Sequence, residues 1–203
     1  MAYITAPGKV QFKEQVLRDL EQNEVRLQVR AAAICGSDLH IYKGKHPAAA
    51  LPVAVGHEIA GQVVEVGDDV TRVQVGDRVA VEPVIICGSC HFCRRGAYHL
   101  CSHISFQYRQ GQGGFTRYFS VHENWAHKLP DGLSYEEGAL IEPLAVAVHA
   151  VKIANIGLGS SCAIFGDGAI GLMLLMVARH NGAGDIILSG IQSHRLQMAR
   201  QLG

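Results

Sequence analysis

The chain has 203 residues, 48% of them hydrophobic, and its 18 basic residues balance 18 acidic ones to a formal net charge of zero. That length and apolar share suit one large or two small globular domains with a real core. The neutral balance excludes the basic field that nucleic acid or an anionic membrane surface attracts, and no apolar run is long enough to span a bilayer. Residues 1–5 lack the charged-then-apolar pattern of a signal peptide, so a cytoplasmic location is expected.

Residues 25–31 alternate apolar and polar side chains, the period of a half-buried strand. Residues 59–66 form a second β-rich run, punctuated by Gly61 and Gly67, and residues 73–81 read as strand, turn, strand around Gly76-Asp77. Short strands with Gly-Asp turns at this spacing predict a small barrel or partly open sandwich.

Between the first two strands stand Cys35-Gly36-Ser37-Asp38-Leu39-His40 and then Gly56-His57-Glu58. Cys, His and Glu are zinc ligand types, and catalytic zinc usually takes three protein ligands with a fourth position open. Cys35 is either a buried, inert thiol or a thiolate ligand. Asp38 is either a turn or cap residue, or an acceptor for the ring N–H of a ligating His57. Ser37 and His40 suit a path that passes a proton from a bound alcohol to solvent.

Cys87, Cys90, Cys93 and Cys101 follow with the spacing C-x2-C-x2-C-x7-C. Four thiols crowded over residues 87–101 suit a closed tetrahedral zinc site, which leaves no open position and is therefore structural. Disulfides are disfavoured by the expected compartment.

Ser134 and Glu137 form a capping-box pattern, followed by an apolar helix through Leu140, Ile141, Leu144, Val148 and Val151. Glu142, just before Pro143, is a carboxylate in an apolar setting that needs a partner: a salt bridge, solvent, or a metal or its water. Residues 161–165 read as a buried strand running into Gly166-Asp167-Gly168-Ala169-Ile170-Gly171, a G-x-G-x-x-G. A helix over 172–180, a strand over 185–189 and a helix over 193–202 capped by Ser193 complete the context that a dinucleotide fold requires. Gly166, Gly168 and Gly171 serve a tight turn, close approach to pyrophosphate and helix packing, and the helix N-terminus offers free N–H groups to phosphate. Two strands cannot bury both faces of such a sheet, so the cofactor fold is expected to be incomplete here.

These residues, in this order, resemble the N-terminal part of the zinc-dependent medium-chain dehydrogenases, in the branch of polyol (sorbitol) and threonine dehydrogenases. The resemblance implies a mixed fold, α/β plus β. A barrel-like, GroES-like catalytic domain would span 1–143 with a structural-zinc lobe at 87–101, and a truncated Rossmann domain would span 144–203. It implies a catalytic zinc on Cys35, His57 and either Glu58 or Glu142, and a proton relay through Ser37 and His40. It further implies a nicotinamide cofactor, a small alcohol or polyol substrate and a homo-oligomeric whole protein. In sorbitol dehydrogenases a Tyr commonly follows the relay His; here Ile41 does, with Tyr42 next, which weakens sorbitol itself as the substrate. A zinc-free, quinone-reductase-like oxidoreductase and a non-enzymatic zinc- and nucleotide-binding scaffold are the rival readings.

Cofactor choice turns on the end of the second Rossmann strand. NAD-binding domains usually carry an Asp or Glu there, about 20 residues past the glycine motif. This chain has Gly190, so the group that would repel a 2′-phosphate is expected to be missing. Ser189, Ser193, His194 and Arg195 follow or flank it as phosphate donors. The expectation is NADP over NAD, with dual use as the fallback, and a gain of NAD use in Gly190→Asp.

Overall fold

The structure is a computed structural model that describes residues 1–107 and 111–203. It divides into two compact units, Met1–Leu140 and Ile141–Gly203.

The first unit runs β1 (Ala2–Ala6), β2 (Lys9–Phe12), β3 (Glu24–Ala33), α1 (Gly36–Tyr42), β4 (Val53–Ala54), β5 (Glu58–Val66), β6 (Arg78–Val81), β7 (Val84–Ile85), α2 (His91–Arg94), β8 (Ser105–Phe106), β9 (Tyr118–His122), β10 (Ala126–Lys128) and α3 (Tyr135–Ala139). Its main sheet has the order β10-β6-β5-β3-β9, antiparallel throughout. Val25 and Leu27 of β3 are fully buried, as their period-two spacing requires, and pack with Ile59, Val63, Val79, Phe119 and Val121. Two breaks in the β3–β5 register, at Arg26/Leu27 and Val29/Ala31, curl the sheet into a half-barrel. Buried Arg26 is matched by Glu65, its cross-strand partner, at 2.6 Å.

The strand expected at residues 73–75 does not form. Gln74 N–H donates to Asp77 Oδ2 at 2.9 Å and Gly76 N–H to the Val63 carbonyl at 2.9 Å, so the segment is a turn and the strand begins only at Arg78. Val73 is nevertheless buried in the core. A smaller sheet, β2-β1-β4, supplies Ile4 and Val53, which with Val55 clamp Ile41 of α1. Ile41 is thus a packing residue that seats α1 against the sheet, with its neighbour Tyr42 exposed.

The single helix expected after Ser134 is two. The capping box is made as anticipated, Ser134 Oγ accepting from Glu137 N–H at 3.1 Å and Glu137 Oε2 accepting from Ser134 N–H at 2.7 Å, but α3 stops at Ala139. A new helix, α4 (Ile141–Ile153), begins after Leu140. Pro143 explains the restart: it falls in the first turn of α4, where a missing N–H costs nothing, whereas inside a continuous helix it would break a bond.

The second unit continues from α4 through β11 (Cys162–Phe165), α5 (Ala169–His180), β12 (Ile186–Ser189) and α6 (Ser193–Leu202). β11 and β12 pair in parallel, Cys162 with Ile186 through Phe165 with Ser189. Val151, Ala178 and Ala183 form one buried cluster, and Ile164, Leu175 and Ala199 another. Phe165 and Ile187 of this two-stranded sheet remain 88% and 68% exposed. Among the described residues no helix is long and apolar enough to cross a membrane.

Candidate functional site

The β3–β5 pairing sets Ala33 opposite Glu58. The chain leaving β3 at Cys35 therefore passes beside the chain entering β5 at His57, and residues distant in sequence meet. The ligand atoms of Cys35, His57 and Glu58 all lie within 4.8 Å of one another. Zinc bonds of about 2.0–2.3 Å in tetrahedral geometry place ligand atoms about 3.3–3.8 Å apart, so this S, N, O set closes on a zinc ion with small movements.

Asp38 holds the two strands of approach together. It is buried, its Oδ2 accepts from Cys35 N–H at 3.0 Å, and its Oδ1 accepts from Gly56 N–H at 3.2 Å. The ring Nδ1 of His57 is 3.9 Å from Asp38 Oδ1, too far for the hydrogen bond expected from the sequence. Asp38 hydrogen-bonds the backbones that carry the ligands and stands at ion-pair distance from the imidazole. Gly56 has φ +90°, and a Cβ there would stand 2.9 Å from Phe115 N, so only glycine fits the approach to His57.

The Cys35 thiol is held below its usual pKa, first by its hydrogen bond with His57 and then, against burial, by Ser37. Burial pushes the Glu58 carboxyl above its usual range, with His57 opposing. A thiol moved toward thiolate beside a carboxyl short of compensating charge is a site that a bound cation would satisfy. Ser37 is half-buried on α1, and His40 stands three residues on, exposed, on the same side of the helix.

The sulfurs of Cys87, Cys90, Cys93 and Cys101 also gather within 4.8 Å. Cys90 Sγ is 3.5 Å from Cys93 Sγ, and Cys87 Sγ is 3.5 Å from Cys101 Sγ. All four are free thiols, and the spacing is near the about 3.8 Å that tetrahedral bonds of about 2.3 Å require. The backbone N–H groups of Cys87 and His103 both point to Cys101 Sγ at 3.4 Å. The Cys93 N–H first, with other backbone donors, pulls the Cys90 thiol down to about 5, while desolvation and the neighbouring sulfurs push Cys93 up to about 12. Four sulfurs this close cannot all ionise without a cation, and a divalent ion removes that conflict.

In the second unit, β11 feeds Gly166, at φ +121°, into the turn, and Gly168 is the N-cap of α5. A Cβ at Gly171 would collide with the Gly166 carbonyl, so the helix can approach the turn only with glycine there. The helix begins at Ala169, earlier than the sequence suggests, which leaves its free N–H groups directly at the turn.

The end of β12 differs from expectation. A Cβ at Gly190 would lie 2.5 Å from Cγ and 2.6 Å from Oδ2 of Asp167, so the Asp167 side chain fills the space that a side chain at 190 would take. Asp167 Oδ2 accepts from Ile191 N–H at 3.1 Å and from Gln192 N–H at 2.6 Å. An acidic side chain from inside the glycine motif therefore lies against Gly190. Those N–H groups, Gln192 first, hold the Asp167 carboxyl below its usual range, and the Arg195 charge adds to the effect. The cap of α6 is Gln192, not Ser193, and makes no side-chain cap bond; Asp167 accepts its N–H instead. The signal that could have revealed Asp167 is the pairing of an acidic residue in the motif with a glycine at the strand end. Glu142 lies in the first turn of α4, in the second unit.

The sequence profile of the alcohol dehydrogenase GroES-like domain matches residues 21–131. Sorbitol dehydrogenase 2 of Saccharomyces cerevisiae is 44% identical over 184 residues, which cover 88% of this chain and 51% of that protein. A Sinorhizobium meliloti 1021 protein described as a zinc-binding dehydrogenase, bound to NADP, is similar over 100% of this chain and 59% of its own at 34% identity and TM-score 0.92. A short chain alcohol dehydrogenase from Escherichia coli CFT073, complexed with NADH, is similar over 100% of this chain and 59% of its own at 31% identity and TM-score 0.91. The chain spans about half the length of the curated relatives it matches. The profile match covers more than half of the chain and takes in Cys35, His57, Glu58 and all four cysteines of the lobe. This chain belongs to the alcohol dehydrogenase GroES-like domain family.

Proposed function

We propose that the whole protein is a zinc-dependent oxidoreductase that moves a hydride between a secondary alcohol or polyol and a nicotinamide dinucleotide. The observation that carries this reading is the convergence of Cys35, His57 and Glu58 within 4.8 Å beside the helix that bears Ser37 and His40. The sorbitol dehydrogenase of yeast supports the polyol class.

In this reading the first unit is the catalytic domain and the second the cofactor domain. Cys35, His57 and Glu58 hold the catalytic zinc, with Glu142 as the alternative third ligand, and Cys87, Cys90, Cys93 and Cys101 hold a structural one. Zinc in an open site supplies Lewis acidity and lowers the pKa of a hydroxyl toward about 7, as it does for water. Ser37 receives the substrate's hydroxyl proton beside Cys35, and His40 hands it to solvent. Gly166, Gly168 and Gly171 let the dinucleotide's pyrophosphate approach the N–H groups that open α5. Gly190 and Arg195 border the adenosine end. The protein positions donor carbon and nicotinamide ring in line, and the cofactor carries the redox change. The whole protein works in the cytoplasm as a homo-oligomer.

Metal analysis and a substrate panel on the full-length protein test this. The expected result is about two zinc ions per chain and turnover of a polyol or secondary alcohol with NAD or NADP. One zinc or none, with quinone reduction, favours the zinc-free relative; bound zinc and nucleotide with no hydride transfer favours the scaffold.

A further inference from the structure

We infer that Asp167 is the cofactor-specificity residue of this chain, taking the part that an acidic side chain at the end of the second strand plays in other dinucleotide folds, and that the protein prefers NAD to NADP. This rests on the dinucleotide-binding reading above.

An acid at the strand end accepts hydrogen bonds from the adenosine ribose and repels a 2′-phosphate. Gly190 has no side chain to do either. The Asp167 carboxylate nevertheless occupies that place, with Oδ2 only 2.6 Å from where a Cβ at 190 would stand. The two positions are complementary: a glycine at 190 is what makes room for an acid at 167.

The carboxylate is held there by the N–H groups of Ile191 and Gln192, both on Oδ2. A carboxylate has about four acceptor sites, so two bonds leave it able to accept more. Those donors also keep it ionised near neutral pH. Asp167 is only 7% exposed, so a 2′-phosphate, carrying about −1.5 to −2, would meet this charge through its field at short range. Arg195, a phosphate donor by sequence, already acts on Asp167. The charge balance at the end of β12 is therefore close to neutral rather than positive, and the expected preference for NADP reverses.

The test is equilibrium binding of NAD and NADP to the full-length protein by isothermal titration calorimetry, without substrate. Wild type should bind NAD at least about tenfold more tightly than NADP. Asp167→Asn keeps the shape and one carbonyl acceptor but removes the charge; it should narrow the ratio about fivefold or more, chiefly by tighter NADP binding. Should the variant fail to fold, the wild-type ratio still decides, and it should shrink as salt rises from about 0.05 to 0.5 M because the discrimination is electrostatic. Equal affinities or an NADP preference in wild type overturn the inference. So does an unchanged ratio in folded Asp167→Asn, which would reduce Asp167 to a fastener of the turn between β12 and α6. Binding of neither nucleotide overturns the dinucleotide reading itself.

Discussion

The Oδ1 oxygen of Asp38 accepts the backbone N–H of Gly56 at 3.2 Å, and through Oδ2 the same carboxylate holds the N–H of Cys35 at 3.0 Å. One buried side chain thus fastens the two loops that carry Cys35 and His57. Asp38→Ala should orphan both donors at about 1–3 kcal/mol each and loosen the metal site with them. Asp38→Asn, whose amide accepts through a single oxygen, should fall between. Chemical denaturation and zinc competition with a chelator read the two effects; a wild-type midpoint together with wild-type zinc retention in Asp38→Ala contradicts the account.

Cys35→Ser should abolish turnover while leaving the fold and about one zinc per chain. It removes a thiolate from the three-residue group and leaves the four-cysteine lobe intact. Metal content, circular dichroism and rate together check this, and wild-type turnover in the variant would refute the ligand assignment.

Cys93→Ser should act in the opposite sense, costing the lobe's zinc and lowering the melting temperature. Binding energy at a closed metal site is largely folding energy. Unchanged melting and unchanged metal content would mean that the four sulfurs do not share an ion.

Glu123 is buried, and its Oε2 accepts from Thr71 N–H at 2.8 Å and Arg72 N–H at 2.7 Å. Burial alone would raise its pKa, but these bonds overcome it and hold the carboxyl below its usual value. The folded pKa is thus below the unfolded one of about 4.3. The stabilisation is complete above that pH and disappears as pH falls through the lower folded value. Glu123→Gln should lose about 1–3 kcal/mol at pH 7 and show a shallower acid-induced drop than wild type in melts between about pH 6 and 3.

Gly190→Ala should be destabilising by about 1–3 kcal/mol through overpacking, because its methyl would meet the Asp167 carboxyl. Pairing it with Asp167→Ala should relieve the collision, so the double variant should melt above the sum of the two losses. Simple additivity would mean that the two positions do not share the space.

The four-cysteine lobe was legible because its ligands are local: spacing alone brings Cys87, Cys90 and Cys93 together. The glycine motif was legible because strand and helix flank it. The meeting of Cys35 with His57 depends on the register of β3 against β5, for which no single stretch of sequence codes, and only the ligand chemistry hinted at it. Strand β2 escaped notice although Lys9, Val10, Gln11 and Phe12 alternate polar and apolar, because so short a run does not stand out in a sequence, and in the fold all of it is exposed. At residues 73–75 an alternating pattern misled, because the Asp77 side chain competes for the backbone. Asp167 was missed because its role lies in a gap opposite, at Gly190, and a gap has no local signature.

The open two-stranded sheet of the second unit has a colloidal consequence. Among the described strands β11 and β12 pair only with each other, so each keeps a row of free N–H and C=O groups along one edge. Phe165 and Ile187 stand bare on one face of the same sheet. Such an edge is a template for strand addition from another molecule. The 203 residues produced by themselves should therefore give light scattering that rises with protein concentration even when zinc is supplied in excess.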